Sequence, residues 1–385
     1  MKIELNTMTW NHPRAINPMK ATFEEFKKGH PEVSMNWATR SLKDFEDFPI
    51  EELSEKYDLI LLDHPCIGRA VETNSLIPLN DLLSEKYLEE LNENSVGPSF
   101  ESYIWDSKVW ALPVDTAAQV SAYRQDLLEK YNLAIPTNWE EISSIGKQLP
   151  DHIKIGFPLN STHAFISFMT LCANISGNDF WDIDGGFKLE IAEEALLTIK
   201  QIVSFCHPVS LNADPIDILE LMGKSDEIIY APLIYGYINY SFNGFKKHIV
   251  HFSDIPSFKP EPIGSIIGGV GLGISSKCKH VDIALEYAMY VASGACQKGI
   301  YFENDGQPAH RDAWTDREVN KKANNFFKNT LKTLDSSYVR PRYNGYTLIQ
   351  DPAGGYIRQF LLNELNVKET ISFINGLIKH LNKSI

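Results

Sequence analysis

Tyr57-Asp58-Leu59-Ile60-Leu61-Leu62-Asp63 is an unbroken apolar run held between acidic residues. A strand with one face in water alternates polar and apolar side chains. Four apolar residues in succession instead indicate a strand covered on both faces, the habit of parallel sheets flanked by helices. Upstream, Lys2-Ile3-Glu4-Leu5 alternates and runs on to Trp10, and the chain then breaks at Asn11-His12-Pro13-Arg14. Asn17-Pro18 reads as an N-cap followed by proline at the first helical position, opening a helix with Met19, Thr22, Phe23 and Phe26 on one face. Gly29-His30-Pro31 stops it, and Glu32 to Trp37 is extended. The opening third therefore predicts β-α-β-α-β, an α/β fold.

Downstream, Thr137-Asn138-Trp139-Glu140 has the form of a capping box, with the Thr137 hydroxyl accepting from the Glu140 amide. Apolar residues recur at helical spacing from Val281 to Ala292 and from Ile371 to Leu381, predicting core-facing helices. Two segments read as ordered crossings between domains. One is Trp110 to Asp115 leading into Gln119 to Tyr123, and the other is the glycine-rich run Ile266 to Ser275.

The 385 residues predict two or three domains, and 43% apolar with 22% charged residues is an ordinary globular composition. A net charge of −14 opposes binding to nucleic acid or an anionic membrane surface. No apolar run reaches the length of a spanning helix. The five cysteines, at 66, 172, 206, 278 and 296, are scattered and lie outside any metal-ligand spacing, which reads as free thiols of a reducing compartment. Met1 to Thr7 lacks the pattern of an export leader, so the chain as written is expected to be cytoplasmic; a trimmed leader would make it periplasmic or extracellular. The glycine-rich run misses the dinucleotide fingerprint because position 274 is Ile, and Gly223-Lys224-Ser225 lacks the first glycine of a phosphate loop because position 218 is Ile. Nothing in the sequence calls for a cofactor or a metal.

The polar candidates lie where strands end. His12 and Arg14 precede a helix, where backbone amides and the helix dipole can hold an anion. Asp63 and His64 end the buried strand, beyond whose carboxyl end ligands bind in open α/β sheets. Each could equally be a solvated turn or a cap. Tyr230 to Tyr240 holds four tyrosines, among them Tyr235 and Tyr237, offering flat faces and hydroxyls to a solute or side chains to the core. Asn304 to Arg311, with His310 and Arg311, could line a cleft or connect helices. Arg340-Pro341-Arg342-Tyr343-Asn344-Gly345-Tyr346 is a basic-aromatic exception in an acidic chain.

The order of these pieces resembles that of the bacterial extracellular solute-binding proteins of carbohydrate-type ABC transporters, the group that includes maltose-binding protein. It is carried by Trp10 and Pro18 to Pro31, Tyr57 to Ile60, Leu76 to Leu79, Lys108 to Pro113, Tyr123 to Leu128, Pro136 to Glu141, Gly268 to Ser275 and Gly306-Gln307-Pro308, in an order that spans about four fifths of the chain. The resemblance implies a two-lobed, type II periplasmic-binding-protein-like fold with a hinge and an interlobe cleft. The expected lobes are 1–112 with 268–314 and 113–267 with 315–385. It implies non-enzymatic binding of a small polar solute, a sugar, oligosaccharide or sugar acid, and a permease as possible partner, or else a cytoplasmic sensor or scavenger. Carried over, it puts Asn11, His12, Arg14, Asp63 and His64 in first-lobe loops, Asp115 by the hinge, Ser161 and Thr162 in a second-lobe loop, and Tyr235 where a stacking aromatic stands. Many relatives carry Trp near that point, and the His/Arg-rich loops also suit an anionic solute. In that frame Arg14→Ala should weaken binding with little loss of stability. The competing reading is an enzyme using Asp63 with His64 or His310 for acid/base chemistry; adjacent residues at a strand end, however, point apart.

Overall fold

A computed structural model describes residues 2–41 and 49–382. Eight strands form one mixed sheet: β1 (Ile3–Trp10), β2 (Val33–Arg40), β3 (Leu59–Leu62), β4 (Leu112–Tyr123), β5 (Lys154–Ile155), β6 (Ile228–Tyr235), β7 (His251–Ser253) and β8 (Ile267–Ile274). Their order is β2-β1-β3-β8-β4-β6-β5, with β7 also paired to β4. β1 is parallel to both β2 and β3. All four residues of β3 are buried, as its unbroken apolar run requires.

β4 joins the two halves. Its residues from Leu112 to Ala118 pair with β8, while Gln119 to Tyr123 pair with β6 and β7. All twelve residues are buried. The two segments read from sequence as crossings are thus neighbouring strands. Gly269, at φ +119°, lies so close to β4 that a Cβ there would stand 2.4 Å from the Asp115 carbonyl oxygen. One apolar core, from Leu5 to Tyr301, surrounds β1, β3 and β8, and another, from Tyr123 to Ile378, surrounds β6 and the C-terminal helices.

Helix α1 (Pro13–Phe26) starts earlier than the Asn17-Pro18 signal predicts. His12 is the N-cap, its Nδ1 accepting from the Arg14 amide at 3.1 Å, and Pro13 takes the first position, where a missing N–H is harmless. Pro18 falls inside the helix, and the predicted face is buried: Phe23 and Phe26 meet Tyr287 edge-on at 6.0 and 5.3 Å. Helix α2 (Trp139–Gln148) is capped one residue later than predicted. Asn138 accepts from the Glu141 amide, and the Glu141 carboxylate accepts from Thr137. Helices α3 (Ser161–Ser176), α4 (Pro215–Lys224), α5 (Val281–Ala292), α6 (Phe326–Asp335), α7 (Thr347–Leu361) and α8 (Val367–Asn382) complete the frame, α5 and α8 as their spacing predicts. No described helix is long and apolar enough to cross a membrane.

Candidate functional site

The loops after β1 and β3, the middle of β4, the end of β6 and the start of β8 enclose a cavity of about 60 Å³. Trp10, Arg14, Asp63, Asp115, Tyr235, Tyr237 and Gly268 line it, with His163 and Pro215 from the first turns of α3 and α4. This volume is small beside ligand pockets, which commonly run to several hundred Å³.

Because α1 begins at Pro13, Arg14 lies in its first turn and reaches across the opening of the sheet. Its Nε and Nη2 donate to the two Asp115 carboxylate oxygens at 2.8 and 2.5 Å, and Nη1 donates to the Gly236 carbonyl at 2.8 Å. The guanidinium sits 4.7 Å over the Tyr237 ring, which the His12 ring meets edge-on at 4.9 Å. Burial opposes the charge on Arg14, but the Asp115 carboxylate outweighs it and holds the guanidinium protonated.

A second arginine comes from the opposite side. Arg340 Nη2 donates to Asp63 Oδ2 at 2.5 Å and Nη1 to Gln350 Oε1 at 3.1 Å. Burial would raise the Asp63 carboxyl, yet Arg340 and His64 bring it down to about 2. The same segment is tied to the loop after β3 through the Gly68 amide, which donates to the Arg342 carbonyl at 2.8 Å. Asp63 and His64 do meet, against the expectation that they point apart: His64 Nδ1 lies 3.0 Å from Asp63 Oδ1. The reason is a tight turn, in which the Asp63 carboxylate caps a short helical turn from His64 to Cys66 and folds back on its neighbour. His64 is fully buried, outside the cavity wall. Burial and Arg340 hold its ring neutral, with the pKa lowered to about 4.

Of the residues singled out from sequence, Arg14, Asp63, Asp115, Tyr235 and Tyr237 line the cavity, and His12 packs behind Tyr237. The others do not join them. Asn11 is exposed, its amide bound to the Arg40 carbonyl at 2.7 Å. Ser161 and Thr162 open α3, where the helical turn aims His163 inward in their place, and the Ser161 backbone packs under Gly354. His310 caps a helix over Arg311–Thr315, accepting from the Asp312 amide, and Arg311 forms a bidentate pair with Asp335. Both are absorbed in the seam where residues 94–97 meet 309–311. Tyr230 and Tyr240 are core residues. Sequence reasoning missed His163, Pro215, Gly268 and the pairing of Arg340 with Asp63; the isolated basic run at 340–346 was the available signal for the last. Asp126, Asp226 and His248 stand close enough to hold a metal ion, but Arg124 already occupies their carboxylates.

The family described as bacterial extracellular solute-binding protein matches residues 10–201. Solved structures with the same fold include an ABC transporter solute-binding protein from Agrobacterium radiobacter K84 in complex with ribitol (20% identity, TM-score 0.82, 98% of each chain covered). Others are maltose-bound MalE3 of T. maritima (18%, 0.81, 98% of this chain and 100% of that one) and a solute-binding protein from Agrobacterium vitis S4 with bound D-mannitol (17%, 0.79, 99% and 98%).

Proposed function

Residues 10–201 place this chain among the bacterial extracellular solute-binding proteins, and from that premise we propose that it binds a small, neutral, polyhydroxylated solute between two lobes without transforming it. The observation that carries this is the charge balance of the cavity. Arg14 is matched by Asp115 and Arg340 by Asp63, while burial keeps His12 and His163 neutral, each lowered to about 3. An anionic solute would meet two carboxylates and no uncommitted guanidinium, which argues against the sugar-acid option. A polyol or sugar can both donate to the carboxylates and lay its apolar face on Trp10, Tyr235 or Tyr237. The ribitol and D-mannitol held by the structural neighbours are solutes of this class.

The small cavity supports hinge opening for entry, with closure around the ligand. The lobes we assign are 1–112 with 268–314 and 113–267 with 315–385. The pairing of β4 favours moving the crossing to Ala118–Gln119, because Val114 packs in the first core and Tyr123 in the second. Delivery to an ABC permease at the outer membrane face is the role this family suggests. The acid/base alternative loses support from the same geometry: Asp63 is committed to Arg340, His64 is sealed from the cavity and His310 is a helix cap.

Thermal unfolding against ribitol, D-mannitol, maltose, glucuronate and inorganic phosphate tests the proposal. A neutral ligand at about 100 times its Kd adds about 2.7 kcal/mol, and the protein should leave it chemically unchanged. A shift with the anions alone, or product formed from a bound sugar, overturns it.

A further inference from the structure

His163 stands in the first turn of α3, where Asn160 caps the helix and accepts from the His163 amide at 3.0 Å. That cap fixes the backbone and directs the imidazole into the cavity beside Tyr235, whose ring it meets edge-on at 6.0 Å. The residue is 3% exposed, and its Nδ1 has no hydrogen-bond partner among the described residues. Buried ring nitrogens are normally paired, because an unpaired one forfeits its hydrogen bonds to water and receives none in return. The two guanidiniums nearby are already taken up, Arg14 by Asp115 and Arg340 by Asp63, which leaves the carboxylates to act as acceptors only. A neutral imidazole carries one donor and one acceptor nitrogen, the complement of a hydroxyl, which is also both.

We propose that His163 is a ligand-binding and specificity-determining residue, exchanging a hydrogen bond with one hydroxyl of the bound neutral solute. The inference rests on the solute-binding reading above and deepens it. The second lobe reads a single hydroxyl through an uncharged ring, and a solute lacking that hydroxyl leaves both partners unpaired in a dry site, the arrangement that discriminates most strongly.

Isothermal titration with ribitol, D-mannitol and maltose on the wild type, His163→Phe and His163→Asn tests this. Phe keeps the ring and removes both nitrogens; Asn restores a donor and an acceptor near the place of Nδ1. For a probe that the wild type binds, His163→Phe should weaken Kd about ten- to a hundredfold, and His163→Asn should recover part of the loss. The unliganded thermal midpoint of His163→Phe should equal or exceed that of the wild type, since no protein partner is left behind. Unchanged Kd in His163→Phe, or equal loss in both variants, overturns the assignment while leaving solute binding intact. A wild type that binds none of the probes overturns the solute-binding reading, and this inference with it.

Discussion

Arg14→Ala tests the energetics of the cleft most directly. Arg14 is 3% and Asp115 1% exposed, and the pair is joined by two hydrogen bonds, with a third from Arg14 to Gly236. Truncating the arginine strands a carboxylate in the protein interior, removes the partner of a buried carbonyl and takes the guanidinium off the face of Tyr237. Breaking such a pair costs about 3–5 kcal/mol. At about 2.1 cal/mol/K per residue, unfolding this chain carries an entropy of about 0.8 kcal/mol/K, so the midpoint should fall by about 4–6 °C. Arg14→Leu combined with Asp115→Leu removes both charges and fills the space with apolar atoms. It should therefore be more stable than the sum of the single changes, a coupling that a double-mutant cycle reads directly. The assay is calorimetry of the unliganded variants near pH 7.5. A midpoint for Arg14→Ala within about 1 °C of the wild type, or strict additivity in the cycle, would refute a buried, mutually dependent pair. The burial of this pair leads to the opposite expectation on stability from the one drawn from sequence alone, which was loss of binding at little cost in stability.

Acid should destabilise the protein well before its carboxylates titrate. His12, His64 and His163 have pKa values lowered by burial to about 3, 4 and 3; the unfolded chain therefore takes up protons as pH falls below about 6.5, while the folded chain does so only near 3–4. Stability is complete above about pH 7.5, and about 4 kcal/mol should be lost between pH 7.5 and 5.5, about 1.4 kcal/mol per histidine over that interval, seen as a falling midpoint; a flat profile would contradict the neutral rings. Asp63, lowered to about 2, acts in a different window, its stabilisation disappearing only as pH drops from about 4 toward 2. Gly354→Ala would place a Cβ 1.7 Å from the Ser161 carbonyl oxygen and force α7 off α3, costing at least about 1–3 kcal/mol in denaturant unfolding. Gly268→Ala would bring a Cβ within 2.9 Å of the Tyr235 ring; ligand affinity should drop while the unliganded midpoint changes little, and equal affinity would remove Tyr235 from the contact surface.

The fold was legible where periodicity reports burial directly. The apolar run at β3 and the helical stripes of α5 and α8 stand where their patterns put them, while the glycine-rich run read as a crossing is the strand β8. The start of α1 was not, because a histidine cap is a weaker signal than Asn-Pro, and the five-residue shift is what brings Arg14 to the cleft. In the site, strand-end loops pointed to Arg14 and Asp63, and the family resemblance to Asp115 and Tyr235. Pairing over long sequence separations was illegible: Arg340 meets Asp63 across 277 positions. Helix phase separated Ser161 and Thr162, which look like hydrogen-bonding residues, from His163, which faces the cavity. His310 and Arg311 have the composition of site residues, but a local cap and an ion pair with Asp335 use them up.

The placement of β8 between β3 and β4 also sets a timetable for folding. The first half-sheet has an open edge until residues 267–274 arrive, because Leu59–Leu62 and Leu112–Ala118 find their shared partner only there. At about 5–20 residues per second, the roughly 150 residues between Ala118 and Ile267 take about 7–30 s to make before that core can be sealed. Pairings so distant along the chain are slow to close once all the parts are present. The nascent protein therefore carries two apolar strands with their common edge unpaired over that whole interval, without the order of its finished state.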